Sequence, residues 1–493
     1  MLLRRLLFLS IAVISGFTIV DYLWANFLRD DPATWAMPLQ EDTSASQAFL
    51  PVELEPAFTN TLYLPMVNKY SMPGYVYPFG IVMYGDVDDN AGLAKMQQAG
   101  SGWVTTFVLW SDIEPNAPVS GTHTYDWSKY DTKFGNAKAA GMQVYVAFGG
   151  NPSWAAPSAW GVLPPSSLPD LANVVAATVE RYDGDGFQDA PGGLVVNNWS
   201  FYAEEDTQQY WGHQGAEFAQ MMAAVSPAVH NAHPEARVLI GGIGYDWFTD
   251  DEYHNPPGPF VRRFITDTLG TLNTSYGGAR QYIDAFDFHF YLVTAQRFPT
   301  IRDKALEIKQ IMSNHGVGDL PLLVSEMAYW SDTPTMGSSQ TRQAQYLVHF
   351  YVGGLSMGIE QLSWWTVFDA GRPELTDGLF EGQDLSKPKQ SYLAYQTMTR
   401  ELGYARFTSV LNAAGAEGYV FMMADGTQKT VVWGTSPTPT QMSFAQACAR
   451  QVEMLGSSSQ IVDGGAGDLD GAANGQVRVQ VSQDQPIYVG ACN

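Results

Sequence analysis

Two glutamates stand where an apolar run stops. In Pro321-Leu322-Leu323-Val324-Ser325-Glu326 the run closes on Glu326, and in the stretch Leu194 to Asp206, LVVNNWSFYAEED, it passes Trp199 and closes on Glu204 and Glu205. A segment such as Leu194-Val195-Val196 suits a strand covered on both faces, as parallel strands in α/β folds are. A glutamate at the end of such a strand is costly to bury unless it is used. Two carboxyl groups facing each other across a pocket can cleave a glycosidic bond: one protonates the leaving oxygen while the other attacks the anomeric carbon or activates water. Glu204 and Glu326 are the pair that this pattern selects. Glu205 is the acid if the register shifts by one; otherwise Glu205 and Asp206 read as solvated loop acids. A separation of about 5–5.5 Å makes the reaction retaining, and a wider one makes it inverting. Burial and mutual repulsion keep one member protonated.

Presenting two strand ends on one rim requires a parallel sheet. From Phe79 onward, apolar strands alternate with amphipathic helical segments, the pattern of βα units. Eight strands are expected: Phe79–Met83, Trp103–Leu109, Gln143–Phe148, the stretch beginning Leu194-Val195-Val196, Arg237–Gly242, Ala285–Tyr291, the run ending at Glu326, and Gln361–Thr366. Helices are expected around 91–99, 130–140, 217–230 and 301–315. Eight strands in this order predict an α/β fold, a closed (β/α)8 TIM barrel over 75–403, with its catalytic groups at the C-terminal ends of the strands. Beyond Tyr404 short alternating runs take over (418–423, 430–433, 477–481 and 487–489), so 404–493 is expected to be a small C-terminal antiparallel β-sandwich domain. Its loop DGGAGDLDGAANG, 463–475, lacks the glutamate that a calcium-binding EF-hand loop requires, and reads as an acidic turn.

The composition narrows the partners. A formal charge of −24 opposes binding to nucleic acid or to an anionic membrane surface. Arg4 and Arg5 precede an apolar run from Leu6 to Val20, so 1–28 reads as a signal peptide or an uncleaved membrane anchor, and the rest as extracellular or cell-surface. Residues 29–74 carry Pro32, Pro38, Pro51, Pro56, Pro65 and Pro73 with little periodicity and read as a linker. The two cysteines, Cys448 and Cys492, either pair, for up to about 4 kcal/mol, or stay as buried thiols. No CxxC or HxxxH spacing occurs, so neither a metal nor another cofactor is expected.

In the order of its strands and their terminal residues, the chain resembles the clan A glycoside hydrolases, particularly the family 39-like members, over roughly 75–490. The resemblance implies an acid/base at Glu204, in Trp199-x-x-x-Ala203-Glu204, and a nucleophile at Glu326, after Ser325. It also implies a tyrosine, Tyr291 of His289-x-Tyr291, bonded to the nucleophile, and a tryptophan platform at Trp364 or Trp365, one of which must face away from the site. Trp110-Ser111-Asp112-Ile113-Glu114-Pro115 resembles the family's loop after strand two, and Trp154 is a candidate wall of the sugar site or a loop anchor. Carbohydrate is the substrate so implied, with catalytic Glu204 and Glu326 and substrate-binding Trp154, His289, Tyr291, Trp364 and Trp365. Two residues depart from the pattern. Ala203 stands where asparagine binds the sugar 2-hydroxyl, and Thr105 where strand two usually carries an arginine near the nucleophile. Each missing charge-assisted hydrogen bond is worth about 1.5–3 kcal/mol. The reading that follows is a glycoside hydrolase; the alternative is a catalytically degenerate carbohydrate-binding surface protein on the same barrel.

Overall fold

The computed structural model of the chain describes residues 77–83, 90–245, 260–292, 298–332, 338–369 and 376–492. They belong to one compact unit, Pro65–Asn493. The expected leader, 1–28, and linker, 29–74, lie outside the described residues. Among the described residues no helix is long and apolar enough to cross a membrane.

Eight parallel strands close into a barrel, each paired to the next and β8 back to β1: β1 (Phe79–Val82), β2 (Trp103–Leu109), β3 (Gln143–Gly149), β4 (Asn198–Phe201), β5 (Arg237–Ile243), β6 (Ala285–Tyr291), β7 (Leu322–Ala328) and β8 (Gln361–Trp364). A helix follows each strand: α1 (Asn90–Gln98), α2 (Ser128–Ala139), α3 (Leu168–Arg181), α4 (Gly215–Ala232), α5 (Phe264–Ser275), α6 (Ile301–Asn314), α7 (Gln340–Ser356) and α8 (Gln390–Leu402). Local chemistry marks the helix starts. Pro169 pre-sets the backbone angle at the first turn of α3, and Thr300 and Asp303 form a reciprocal capping box at α6.

The fourth strand lies later than the apolar run suggests. Leu194 and Val196 are buried and Val195 is exposed, and the Val196 amide bonds to the Tyr182 carbonyl at the end of α3 instead of joining the sheet. The strand is Asn198-Trp199-Ser200-Phe201, in register with Tyr145–Phe148 of β3. The run is tied to the end of α3 and the chain enters the barrel after it, so Glu204 still stands just past the strand end.

Beyond α8 the chain forms β9 (Arg406–Ala413), β10 (Ala416–Met422), β11 (Gln428–Gly434), β12 (Thr440–Phe444), β13 (Cys448–Glu453), β14 (Ser458–Val462), β15 (Val477–Val481) and β16 (Ile487–Ala491). A six-stranded antiparallel sheet, β14-β13-β16-β11-β10-β9, packs with the β12-β15 pair around Val432, Ala449, Val479, Val481 and Val489. The fold is a TIM barrel with a C-terminal β-sandwich. Cys448 and Cys492 pair, closing a 44-residue loop, which stabilises the sandwich by about 4 kcal/mol in the loop-entropy picture. In the 463–475 loop the carboxylates accept the chain's own amides: Asp463 those of Asn474 and Gly475, and Asp468 those of Gly464 and Arg478.

Barrel and sandwich share a half-buried ion cluster. Glu401 of α8 meets Lys429 of β11 at 2.7 Å and Arg450 of β13 at 3.0 Å, and His349 of α7 stacks on Trp433 of β11 at 4.1 Å between ring centres. Burial pushes Glu401 up, but hydrogen bonds from Arg450 and Lys429 outweigh it and hold the carboxyl at about 2. Glu401→Ala leaves these part-exposed cations facing a half-buried gap, and we expect it to lower stability by about 1–3 kcal/mol in urea denaturation. A depressed carboxyl stabilises above its ordinary value and loses that effect as pH falls through the folded one. The stability difference between wild type and variant therefore shrinks as pH drops from about 4.5 toward 2.

Candidate active site

The inward side chains of β6 alternate Asp287, His289 and Tyr291, and all three are buried. Beside β6, both neighbouring strands contain one extra residue. On β7 the pairing steps from Asp287↔Leu323 to His289↔Glu326, and on β5 from Ile240↔Phe286 to Ile243↔Phe288. Each bulge withdraws an amide from the ladder. Asp287 receives both: Oδ1 accepts the Ser325 amide at 2.7 Å, and Oδ2 accepts the Gly242 amide at 3.0 Å and the Tyr145 hydroxyl at 2.6 Å.

The bulges set the two glutamates. On β7 the extra residue brings Glu326 level with His289. On β5 Gly242 turns into the left-handed region at φ +69, and its carbonyl accepts the Glu204 amide at 2.6 Å. A Cβ at position 242 would lie 2.8 Å from the Ala203 Cα, so only glycine permits this approach. Glu204 itself has φ +50 and Tyr202 φ +65, an uncommon conformation for non-glycine residues that aims the tip of the turn after β4.

Glu204, His289 and Glu326 converge. His289 Nδ1 lies 3.1 Å from Glu204 Oε1 and 3.4 Å from Glu326 Oε2, and one oxygen of each glutamate lies within 4.8 Å of the other's. The Tyr291 hydroxyl donates to Glu326 Oε2 at 2.7 Å. These donors are close enough to share a cation, but their contacts with one another and with Tyr291 account for their positions without one. A second close acidic group, Glu180, Asp183 and Asp185, joins the last turn of α3 to the turn that follows it; Asp183 is buried and Asp185 exposed.

Burial dominates the electrostatics. It raises the Glu204 carboxyl to about 7 against the opposing pull of Lys304. Asp206 is also raised to about 7 by burial, although it accepts the amides of Tyr245 and Gly244. Glu205 is pushed well up, first by burial and then by the charges of Asp206, Asp287 and Glu204. Glu205 and Asp206 are thus not solvated loop acids. Both are fully buried, because the turn after β4 folds back over the barrel mouth and its Glu205 carbonyl accepts the Trp211 and Gly212 amides. Neither Glu205 side-chain oxygen has a hydrogen-bond partner.

The tryptophans separate. Trp364 lies on the outer face of β8, its indole donating to the Asp377 carbonyl beside Phe350 of α7. Trp365, the first residue past β8, is buried with slight exposure. Trp154 is part-exposed at the rim, where its indole bonds the Glu114 carbonyl and meets Trp110 edge to face. Thr105 is buried and points into the barrel. Its hydroxyl donates to Ser363 at 2.9 Å, deeper in the barrel. The β2 residues nearest the rim are Phe107 and Leu109, which form an apolar wall with Ala147, Ala203 and Trp160.

Two residues escape the sequence pattern. The alternation Asp287-x-His289-x-Tyr291 could have revealed Asp287. Lys304 sits in the apolar register of α6, where a lysine gives no signal of its role. No protein-family model matches the sequence, and no curated protein matches it. Solved structures do. A family 39 glycoside hydrolase from Bacteroides cellulosilyticus WH2 superposes with a TM-score of 0.62 at 18% identity, over 84% of this chain and 81% of that one. A glucosidase from Croceicoccus marinus gives 0.61 at 16% over 86% and 98%, and a family 30 endoxylanase from Clostridium papyrosolvens C71 gives 0.57 at 12% over 85% and 98%. The chain shares the fold of family 39 and family 30 glycoside hydrolases. At these identities the similarity speaks for the fold, and the chemistry rests on the site.

Asp287→Ala would strand two bulge amides and a phenol in the barrel interior. We expect a loss of about 3 kcal/mol or more in urea denaturation, with Asp287→Asn losing less because it keeps an acceptor.

Proposed function

We propose that the chain is a retaining glycoside hydrolase that cleaves O-glycosidic bonds of poly- or oligosaccharides, with Glu204 as acid/base and Glu326 as nucleophile. The observation that carries this reading is the approach of two buried carboxyl groups to within 4.8 Å. Oxygens this close suit the covalent route, whose carboxyl groups stand about 5–5.5 Å apart, better than an inverting route, whose carboxyl groups stand about 6.5–9.5 Å apart.

The surroundings of the pair support the roles. Glu204, held protonated up to about pH 7 by burial, suits a general acid. Glu326, accepting the Tyr291 hydroxyl, is oriented as the attacking carboxylate. In the first step Glu326 bonds to the anomeric carbon, the bond to the leaving oxygen breaks, and that oxygen takes the Glu204 proton. In the second, water gives a proton to Glu204, its oxygen bonds to the anomeric carbon, and the bond to Glu326 breaks. Trp365 and Trp154 offer aromatic faces to a sugar ring. The positive and apolar N-terminal run, together with the Cys448–Cys492 disulfide, supports an extracellular or cell-surface location.

A second reading, a sugar-binding barrel without turnover, is favoured by the apolar wall of Phe107, Leu109 and Ala203. A panel of aryl glycosides, with xyloside and glucoside first because the structural neighbours include a xylosidase and a glucosidase, decides between them. Hydrolysis that disappears in Glu326→Ala supports the enzyme. Silence, with sugar binding still measurable by calorimetry, supports the second reading. In an active enzyme Glu204→Gln lowers kcat/KM by about 10²–10⁴-fold on substrates with a poor leaving group. Because the acid must be protonated, kcat/KM falls as pH rises through about 7.

A further inference from the structure

The side chains of β3 shrink toward the rim. Those pointing inward are Tyr145, which bonds Asp287, then Ala147, then Gly149. The hollow this leaves is filled from the loop that follows. A Cβ at position 149 would lie 2.8 Å from Cζ3 of Trp160, so glycine is what lets the indole lie over the barrel end. Trp160 meets Phe107 edge to face at 5.1 Å between ring centres and Tyr202 at 6.4 Å, and it packs on the cluster that includes Ala203, the residue before Glu204. Its loop is pinned by the buried Asn151. The Asn151 side-chain amide donates to the Ser158 and Gly161 carbonyls, both at 3.0 Å, and its backbone amide to the Ala159 carbonyl at 2.7 Å. Its side-chain oxygen accepts the Tyr202 hydroxyl at 2.6 Å. One asparagine thus couples the placing of Trp160 to that of the β4 turn.

Held this firmly, Trp160 is still part-exposed. Among the described residues none accepts its indole N–H, whereas carbonyls take those of Trp154, Trp199 and Trp364. Glu204 and Glu326 close on each other from β4 and β7, with His289 of β6 beside both. A ring whose anomeric carbon lies between the two carboxyls therefore extends over the remaining side of the mouth, toward β2 and β3. Trp160 lies there. We propose that Trp160 is a specificity-determining residue for the glycone, the sugar whose anomeric carbon Glu326 attacks: the indole packs on the C–H face of a pyranose ring and gives its N–H to a hydroxyl. This rests on the reading of Glu204 and Glu326 as the catalytic pair. Phe107, Ala147 and Ala203 beside Trp160 bring no polar side-chain group, so this wall suits a neutral ring face and not a charged substituent.

An aryl glycoside carries one sugar, the glycone, so it reports on this contact alone. The full chain is compared as wild type, Trp160→Ala, Trp160→Phe and Gly149→Ala on an aryl xyloside and an aryl glucoside. Binding of xylose and glucose is followed by calorimetry and by tryptophan fluorescence. Trp160→Ala should raise KM and the sugar Kd by about 3–10-fold while kcat changes less. Trp160→Phe, which keeps a ring, should recover part of that loss, and the fluorescence change on sugar binding should shrink in both. Gly149→Ala alters no group that meets the sugar, yet its Cβ displaces the indole, so KM should rise there too. If Trp160→Ala does not fold, Trp160→Phe and Gly149→Ala carry the test. Unchanged KM and Kd in the variants that fold overturn the inference and make Trp160 a plug of the barrel end. A fall in kcat at unchanged KM also overturns it, since a loosened β4 turn would give that result. A chain that binds these sugars without hydrolysing their glycosides is read through Kd, so failure of the functional reading stays distinct from failure of this one.

Discussion

The Asp287 carboxylate is the interaction on which the rest of the site depends. A parallel barrel in uniform register would pair every amide, and no strand end could be moved without unpairing one. One extra residue on each side of β6 breaks that uniformity, and Asp287 takes up the two amides set free. The β7 bulge raises Glu326 to the level of His289. The β5 bulge presents the Gly242 carbonyl that holds Glu204. One buried carboxylate thus ties the placement of both glutamates to the barrel interior, where packing resists displacement.

Charge is the second constraint. Five carboxyl groups, Glu204, Glu205, Asp206, Asp287 and Glu326, are buried within one barrel mouth. They cannot all ionise there, because desolvation and mutual repulsion both favour the neutral form. Hydrogen bonds sort them. Asp287 and Asp206 accept backbone amides, Glu326 accepts a phenol, and Glu204 shares a histidine nitrogen. Glu205 accepts nothing and is pushed furthest toward its protonated form. Burial that would be a liability in a structural position here keeps neighbouring acids protonated toward neutral pH, as a general acid requires.

Polar and apolar groups share the mouth. Strands β6 and β7 carry His289, Tyr291 and Glu326, while Phe107, Leu109, Ala147 and Ala203 belong to an apolar cluster that also takes in Leu239, Ala285 and Leu323. The departure at Ala203 is therefore part of a continuous wall and not an isolated loss. Thr105 belongs to neither group: it bonds across to Ser363 inside the barrel, so its identity says little about how a sugar is held.

Alternation and periodicity are local, and what depends on them was legible in the chain. The eight strands, the helices between them, the antiparallel tail, and the placing of Glu204 and Glu326 at strand ends all follow from which residues are apolar and at what spacing. The Tyr291 contact with Glu326 came from resemblance in the motif and recurs in the geometry. Tertiary structure alone decided what depends on register. It moved β4 from Leu194-Val195-Val196 to Asn198–Phe201, with the Val196 amide tied to the Tyr182 carbonyl at the end of α3, and it turned Trp364 outward against α7. It buried Glu205 and Asp206, whose polarity suggested solvent, and it buried Lys304 of α6 against the Gly244 and His289 carbonyls. The physical reason is that a bulge adds one residue without changing the apolar pattern. A sequence can therefore specify that two acids reach the rim, but only the closed barrel decides that they meet.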